Sequence, residues 1–199
     1  MTSRVLTIAP NALRIDFSVR WFGVVTVRGT LSTAEGTVTL RGEDLSQVEV
    51  AVAASAGSVH TGVGLRDHHL RAERFLHADL YPWIRFTSTA FSREGGELVV
   101  QGMLSCRGVT TPVRASCPLD EVQRDGEQAS VCARFVLSRS RHGVGVPPGI
   151  WRYNPMFLAI ADEVRVHVRL RLPAAEVERL GLLVQGARPR AATGHDDST

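Results

Sequence analysis

Residues 164–172 read Val164-Arg165-Val166-His167-Val168-Arg169-Leu170-Arg171-Leu172, five aliphatic residues in strict alternation with four basic ones. A period of two belongs to the β-strand, whose successive side chains point to opposite faces. A helix would scatter the same nine residues around its whole circumference. One face of this strand is therefore expected inside and the other in water. The register is strongly specified, because a slip of one residue would turn every arginine inward.

The pattern repeats on both sides of the chain. Leu13, Ile15, Phe17, Val19 and Trp21 alternate with Arg14, Asp16, Ser18 and Arg20. Val25, Val27 and Leu31 lead to Gly36, and Val38 and Leu40 precede a turn at Gly42. Val48, Val50 and Val52 form the next run, then Ile84, Phe86 and Ala90. Glu94-Gly95-Gly96 reads as a hairpin turn into Leu98, Val100 and Leu104. Val113, Ala115, Cys117 and Leu119 follow, then Val131, Ala133, Phe135 and Leu137. About eight strands at short spacing predict an all-β fold. We read it as an extended antiparallel eight-stranded barrel, with residues 1–10 as a lead-in and 11–172 as the barrel.

Two segments interrupt the alternation. Residues 65–76 (LRDHHLRAERFL) lack turn formers and β-branched residues and predict a short helix. Residues 141–158 are rich in Gly and Pro with interleaved aromatics, and read as a long loop. Residues 173–199 read as a tail, with a brief helix in AAEVERLGLLVQ and disorder after it.

Of the 199 residues, 44% are hydrophobic and 22% charged, which excludes a disordered chain and suits one domain of this length. Cys106, Cys117 and Cys132 are odd in number and lack metal-ligand spacing. Free thiols in a reducing compartment fit them best. The opening MTSRVLTIAP has no leader-like apolar stretch, so a cytoplasmic location is expected. The net charge of +3 is too small to argue for nucleic acid by itself.

A closed sheet of eight strands is just wide enough inside for packed side chains or one small ligand. The inward positions include Phe17, Val19, Val50, Val52, Ile84, Phe86, Leu104, Phe135, Val166 and Val168. They contain few bulky rings, and a hollow interior so lined would take hydrocarbon rather than sugar or nucleotide. Periodicity does not distinguish that hollow barrel from a filled one.

Five stretches of sequence add a resemblance. Ser58-Val59-His60-Thr61-Gly62, with Arg66-Asp67-His68-His69-Leu70 and Phe75, is similar to the S-x-x-T-G…R-D-x-H-L-x-x-x-x-F stretch of YceI-like proteins. Tyr81-Pro82-Trp83-Ile84-Arg85-Phe86-Thr87-Ser88 resembles that family's Y-P-x-I-x-F-x-S. Gly102 to Val113 (GMLSCRGVTTPV) resembles its G-x-L-x-x-x-G-V-T-x-P-V. Phe17-Ser18-Val19-Arg20 and Arg139 to Val144 (RSRHGV) complete the order. The resemblance implies a lipocalin-like barrel, often a homodimer, that stores or transports a polyisoprenoid, an isoprenoid quinone or a similar lipid without catalytic residues. Trp21, where the family commonly has His, and His142, where it usually has Phe, depart from the pattern.

Polar groups that could carry chemistry also have plainer roles. Arg66, Asp67, His68 and His69 form the densest cluster, but adjacent histidines on a helix point about 100° apart and do not share an ion. A structural role near the barrel end is expected, with headgroup contact as the alternative. Ser58 and Thr61 lack the G-x-S-x-G surroundings of a nucleophile. Arg165, His167, Arg169 and Arg171 lack interleaved aromatics and read as a solvated outer face. Trp151, Tyr153, Met156 and Phe157 form either a lid or a satellite core. Trp21, Arg66, Asp67, His68, His142, Trp151 and Tyr153 are therefore the expected mouth or headgroup residues.

Three functions compete: an apolar-ligand carrier with no metal or other cofactor, a hydrolase using Asp67, His68 and His69, and an interaction protein using the basic strand. The carrier is favoured, with transient membrane contact as a corollary and no nucleic-acid partner.

Overall fold

The computed structural model describes residues 3–42, 44–145 and 159–183. Twelve strands among them form one antiparallel sheet. They are β1 (Arg4–Ile8), β2 (Leu13–Trp21), β3 (Val25–Leu31), β4 (Ala34–Leu40), β5 (Val48–Ser55), β6 (Val59–His60), β7 (Trp83–Glu94), β8 (Glu97–Cys106), β9 (Val109–Pro118), β10 (Gln123–Asp125), β11 (Gln128–Ser138) and β12 (Ile160–Pro173). The neighbour order is β1-β4-β5-β7-β8-β9-β11-β12-β2-β3-β6, with β10 on β11. The all-β class stands, but twelve strands replace the expected eight. The extra ones are mostly short, and strands of two to five residues such as β6, β10 and β1 offer too little alternation to read. Residues 4–8, read as a lead-in, pair with β4 from Arg4 opposite Leu40 to Ile8 opposite Gly36.

The sheet curls into a barrel with a seam, because its path begins at β1 and ends at β6. The chain crosses that seam through the 3-10 turn Pro10–Ala12 and again through Ser32 and Thr33. Ser58 helps tie the second crossing. Its Oγ accepts from the Thr33 amide at 3.1 Å and donates to Ser55 O at 2.7 Å. Backbone bonding is thus what this serine does.

Pairing defines two barrel ends. At one, here the upper, lie the β2–β3 hairpin (residues 22–24), the β8–β9 hairpin and the first residues of β7 and β12. Helix α1 (Gly64–Arg71) follows β6 there, shorter than the expected 65–76 because residues 72–76 leave the helix in turns. At the lower end the β7–β8 hairpin turns through Gly95 and Gly96. Both have positive φ, 55° and 85°, as a two-residue hairpin of this hand requires.

The lower end is closed by α2 (Ala174–Arg179), which follows β12 directly. Val177 is fully buried, and Leu180 and Leu182 pack into the core. Arg93 Nη2 donates to Leu180 O at 2.7 Å and Gly181 O at 3.0 Å, satisfying carbonyls that a helix end leaves unpaired. Glu176 accepts from Arg4 at 2.8 Å, which ties the plug to β1.

One run departs from simple alternation. In β7, Ser88 faces Gly102 and Ala90 faces Gln101, so Thr89 is an extra residue. This β-bulge turns Ala90, expected inside, to the exposed face and puts Phe91 in its place.

Candidate functional site

The barrel is hollow. Its cavity measures about 740 Å³, in the range of ligand pockets. The ten residues expected to line it, Phe17, Val19, Val50, Val52, Ile84, Phe86, Leu104, Phe135, Val166 and Val168, all do so. The whole inner face of the 164–172 run, from Val164 to Leu172, is also in the wall, and Arg165 and Arg169 lie outside it.

Two cross-strand arrangements keep the bore open. Phe17 pairs with Gly29, and a Cβ on Gly29 would sit 2.4 Å from Phe17 Cζ. Phe86 likewise covers Gly102, where a Cβ would lie 2.4 Å from Phe86 Cε2. Each ring occupies the space that a side chain at the facing glycine would need.

Polarity is confined to the upper end. Besides the two cysteines, the ionisable residues among the described lining are Arg66, His69, Arg85, Arg139 and His142, all carried by upper-end segments. Arg139 is buried and donates to the carbonyls of Val144, Ile160 and Ala161 at 2.9 to 3.0 Å. Burial lowers its pKa, and nearby Asp162 works against that. His142 is in the wall and fully buried. Its Nδ1 donates to Val109 O at 3.1 Å, which leaves Nε2 to accept from Thr111 Oγ1 at 3.0 Å. Both nitrogens are therefore engaged in holding β9 to the turn after β11.

The expected mouth residues divide. Trp21 and Arg66 line the cavity at its upper end. Asp67 and His68 do not: Asp67 is buried beneath α1 and His68 is exposed on it. Trp151 and Tyr153, with Met156 and Phe157 of the expected lid, lie outside the described residues. Nor do Arg66 and Asp67 pair with each other. Both bind Thr61, whose hydroxyl accepts from Arg66 Nε at 2.7 Å and donates to Asp67 Oδ1. Oδ1 also accepts from the Thr61 amide at 2.8 Å, and Oδ2 takes His60 Nδ1 at 2.9 Å. With Asp67 so committed, and the His68 and His69 rings 6.1 Å apart and tilted, the cluster has no common focus for a reacting atom.

Burial pushes the Asp67 carboxyl up, but the bonds from Thr61 and His60 outweigh it and hold its pKa below the ordinary value. A carboxylate depressed in the folded state adds stability above its unfolded pKa and loses it as pH falls through the folded one. Asp67→Asn should therefore cost about 1–3 kcal/mol at neutral pH. The gap from wild type should narrow once pH drops below about 4. Urea midpoints at several pH values measure this, and a gap independent of pH would refute it.

Several contributors to the wall are not legible in the sequence. Phe91 was hidden by the bulge, Leu180 and Leu182 by their place in an assumed tail, and Arg139 by its appearance only within a resemblance block. Of the cysteines, Cys106 and Cys117 line the cavity and Cys132 sits on the other face, as the alternation implied.

The sequence model of the YceI-like domain matches residues 6–172. Protein YceI of Salmonella arizonae and that of Salmonella enteritidis are each 35% identical over 105 residues, 53% of this chain and 55% of theirs. The match thus spans about half the length of these curated relatives. BcnA of Burkholderia cenocepacia superposes with a TM-score of 0.71 at 19% identity, over 83% of this chain and 99% of that one. A polyisoprenoid binding domain from Saccharophagus degradans gives 0.62 at 14% identity, over 84% and 97%. The structural neighbours share the fold, and the sequence match over nearly the whole barrel places this chain in the YceI-like domain family.

Proposed function

We propose that this chain binds a long apolar ligand, a polyisoprenoid, an isoprenoid quinone or a similar lipid, and stores or carries it without transforming it. One observation carries the reading: a cavity of about 740 Å³ whose wall is hydrocarbon except at the upper end. Such a wall offers a chain of methylenes what water does not. Each buried methylene contributes roughly 0.8 kcal/mol, so about ten approach the ~8 kcal/mol of micromolar affinity before ordering costs. The polar end of the ligand would lie upward, beside Arg66 and His69. The name of the Saccharophagus degradans neighbour supports a polyisoprenoid as cargo.

A reducing, cytoplasmic setting suits this role. Burial pushes the Cys106 and Cys117 thiols up to about 11, so both stay protonated and inert beside the cargo.

Organic extraction of the purified protein, followed by mass spectrometry, should release a long-chain lipid in near-stoichiometric amount. Protein that yields none, and takes up no quinone on titration, would not be a carrier.

A further inference from the structure

Apolar side chains on the surface of this protein are not evenly spread. Among the large exposed ones of the described residues, Phe22, Val24, Val25, Val63 and Leu65 cluster at the upper end, on the β2–β3 hairpin and at the start of α1. Val24 at the hairpin tip is 84% exposed and Leu65 is 69% exposed. Val63 and Leu65 also line the cavity, so the lumen reaches the surface here. The lower end is sealed by buried Leu180 and Leu182. The exposed rim and the cavity wall are thus one continuous apolar surface.

The charges around the rim are mostly basic. Arg66 donates to Thr61 O, Arg71 to Gly57 O and Val59 O, and Arg107 to Gly143 O. Carbonyl oxygens position these guanidiniums without neutralising them. Arg20, at the end of β2, is exposed beside the hairpin. In the rim segments 20–25, 63–74 and 107 the carboxylates are Asp67, buried against His60, and Glu73. An apolar tip ringed by a majority of arginines is complementary to one surface above others, a bilayer carrying anionic phosphate headgroups.

We propose that the upper end docks on anionic membranes, with Phe22 and Val24 inserted among the acyl chains and the rim arginines on lipid phosphates, so that cargo passes between bilayer and lumen without crossing water. The purpose of this docking rests on the carrier reading above; its geometry does not. The hairpin tip is suited to the task. Phe22 and Gly23 both have positive φ, 51° and 70°, and the tight turn leaves Val24 at the tip and Phe22 exposed on one side while its ring packs edge-to-face on Trp21 at 4.9 Å.

The test is co-flotation of the protein with phosphatidylcholine vesicles, with and without phosphatidylglycerol. Wild type should float with the anionic vesicles and be released by salt. Phe22→Asp and Val24→Asp should lower the bound fraction at least about tenfold, since each sets a carboxylate against phosphate in place of an inserted side chain. Neither residue lines the cavity, so both variants should load quinone delivered from ethanol as wild type does, and circular dichroism should show them folded. Wild type that stays soluble with anionic vesicles overturns the proposal, as do variants that float unchanged. So does sedimentation showing that the tip holds two copies of the chain together and that Val24→Asp separates them. If no form of the protein loads quinone, the carrier reading fails, and flotation still decides docking.

Discussion

Truncation after Pro173 should remove most of the stability of this barrel. The lost segment carries Val177, Leu180 and Leu182, all buried, and each such side chain contributes about 1.5–3 kcal/mol. The sum, on the order of 5–9 kcal/mol, is comparable to the whole stability of an ordinary domain. Further losses follow: Arg93 is left without the carbonyls it caps, and Arg4 without Glu176. Water would enter the lumen from below. Val177→Asp in the full chain places a carboxylate where nothing pairs with it, and should reproduce much of the effect. Urea titrations of the three proteins would show it. A truncated chain within about 1 kcal/mol of wild type would mean that the plug is dispensable.

Val50→Trp should leave a folded protein that no longer holds its ligand. Val50 is on β5, half-buried, with its side chain on the lumen. In a filled barrel an indole at this position would have nowhere to go, and overpacking alone costs about 1–3 kcal/mol. Here it projects into open, apolar space. Thermal stability should change little, while extractable lipid and quinone uptake should fall more than about tenfold. Val50→Asp is the harsher companion. Its carboxylate would face hydrocarbon unpaired and should cost several kcal/mol. A Val50→Trp protein that unfolds, set beside a wild type that retains no lipid, would show that the interior is merely core.

The strand faces were legible because water and hydrocarbon impose a period of two on any half-buried sheet. Val164 to Leu172 needed nothing more. Where one face must be re-aimed, the period fails: Thr89 shifts the count, and no local residue type announces it. The plug failed for another reason. Ala174 to Leu182 is brief and gains its place only from β1, β7 and the core beneath it, so nothing local marks it as more than a tail. Whether the lumen is empty is also a long-range property, set by how twelve strands curl. The Asp67 cluster was legible as a structural feature near the barrel end, but its partners were not. Adjacency in sequence does not give direction: Arg66 and Asp67 meet at Thr61, Asp67 also binds His60, and His68 faces solvent.

Phe17 and Phe86 lie on Gly29 and Gly102 through contacts that belong to the wall itself. The lumen is therefore preorganised: its width is fixed by contacts within the wall, not by pressure from a guest. A lumen held open by its own wall should bind without dividing its affinity by a small competent fraction. Empty and filled barrels should then be nearly isostructural. Exchange of the guest would be governed by its passage through the upper opening and not by any opening of the sheet.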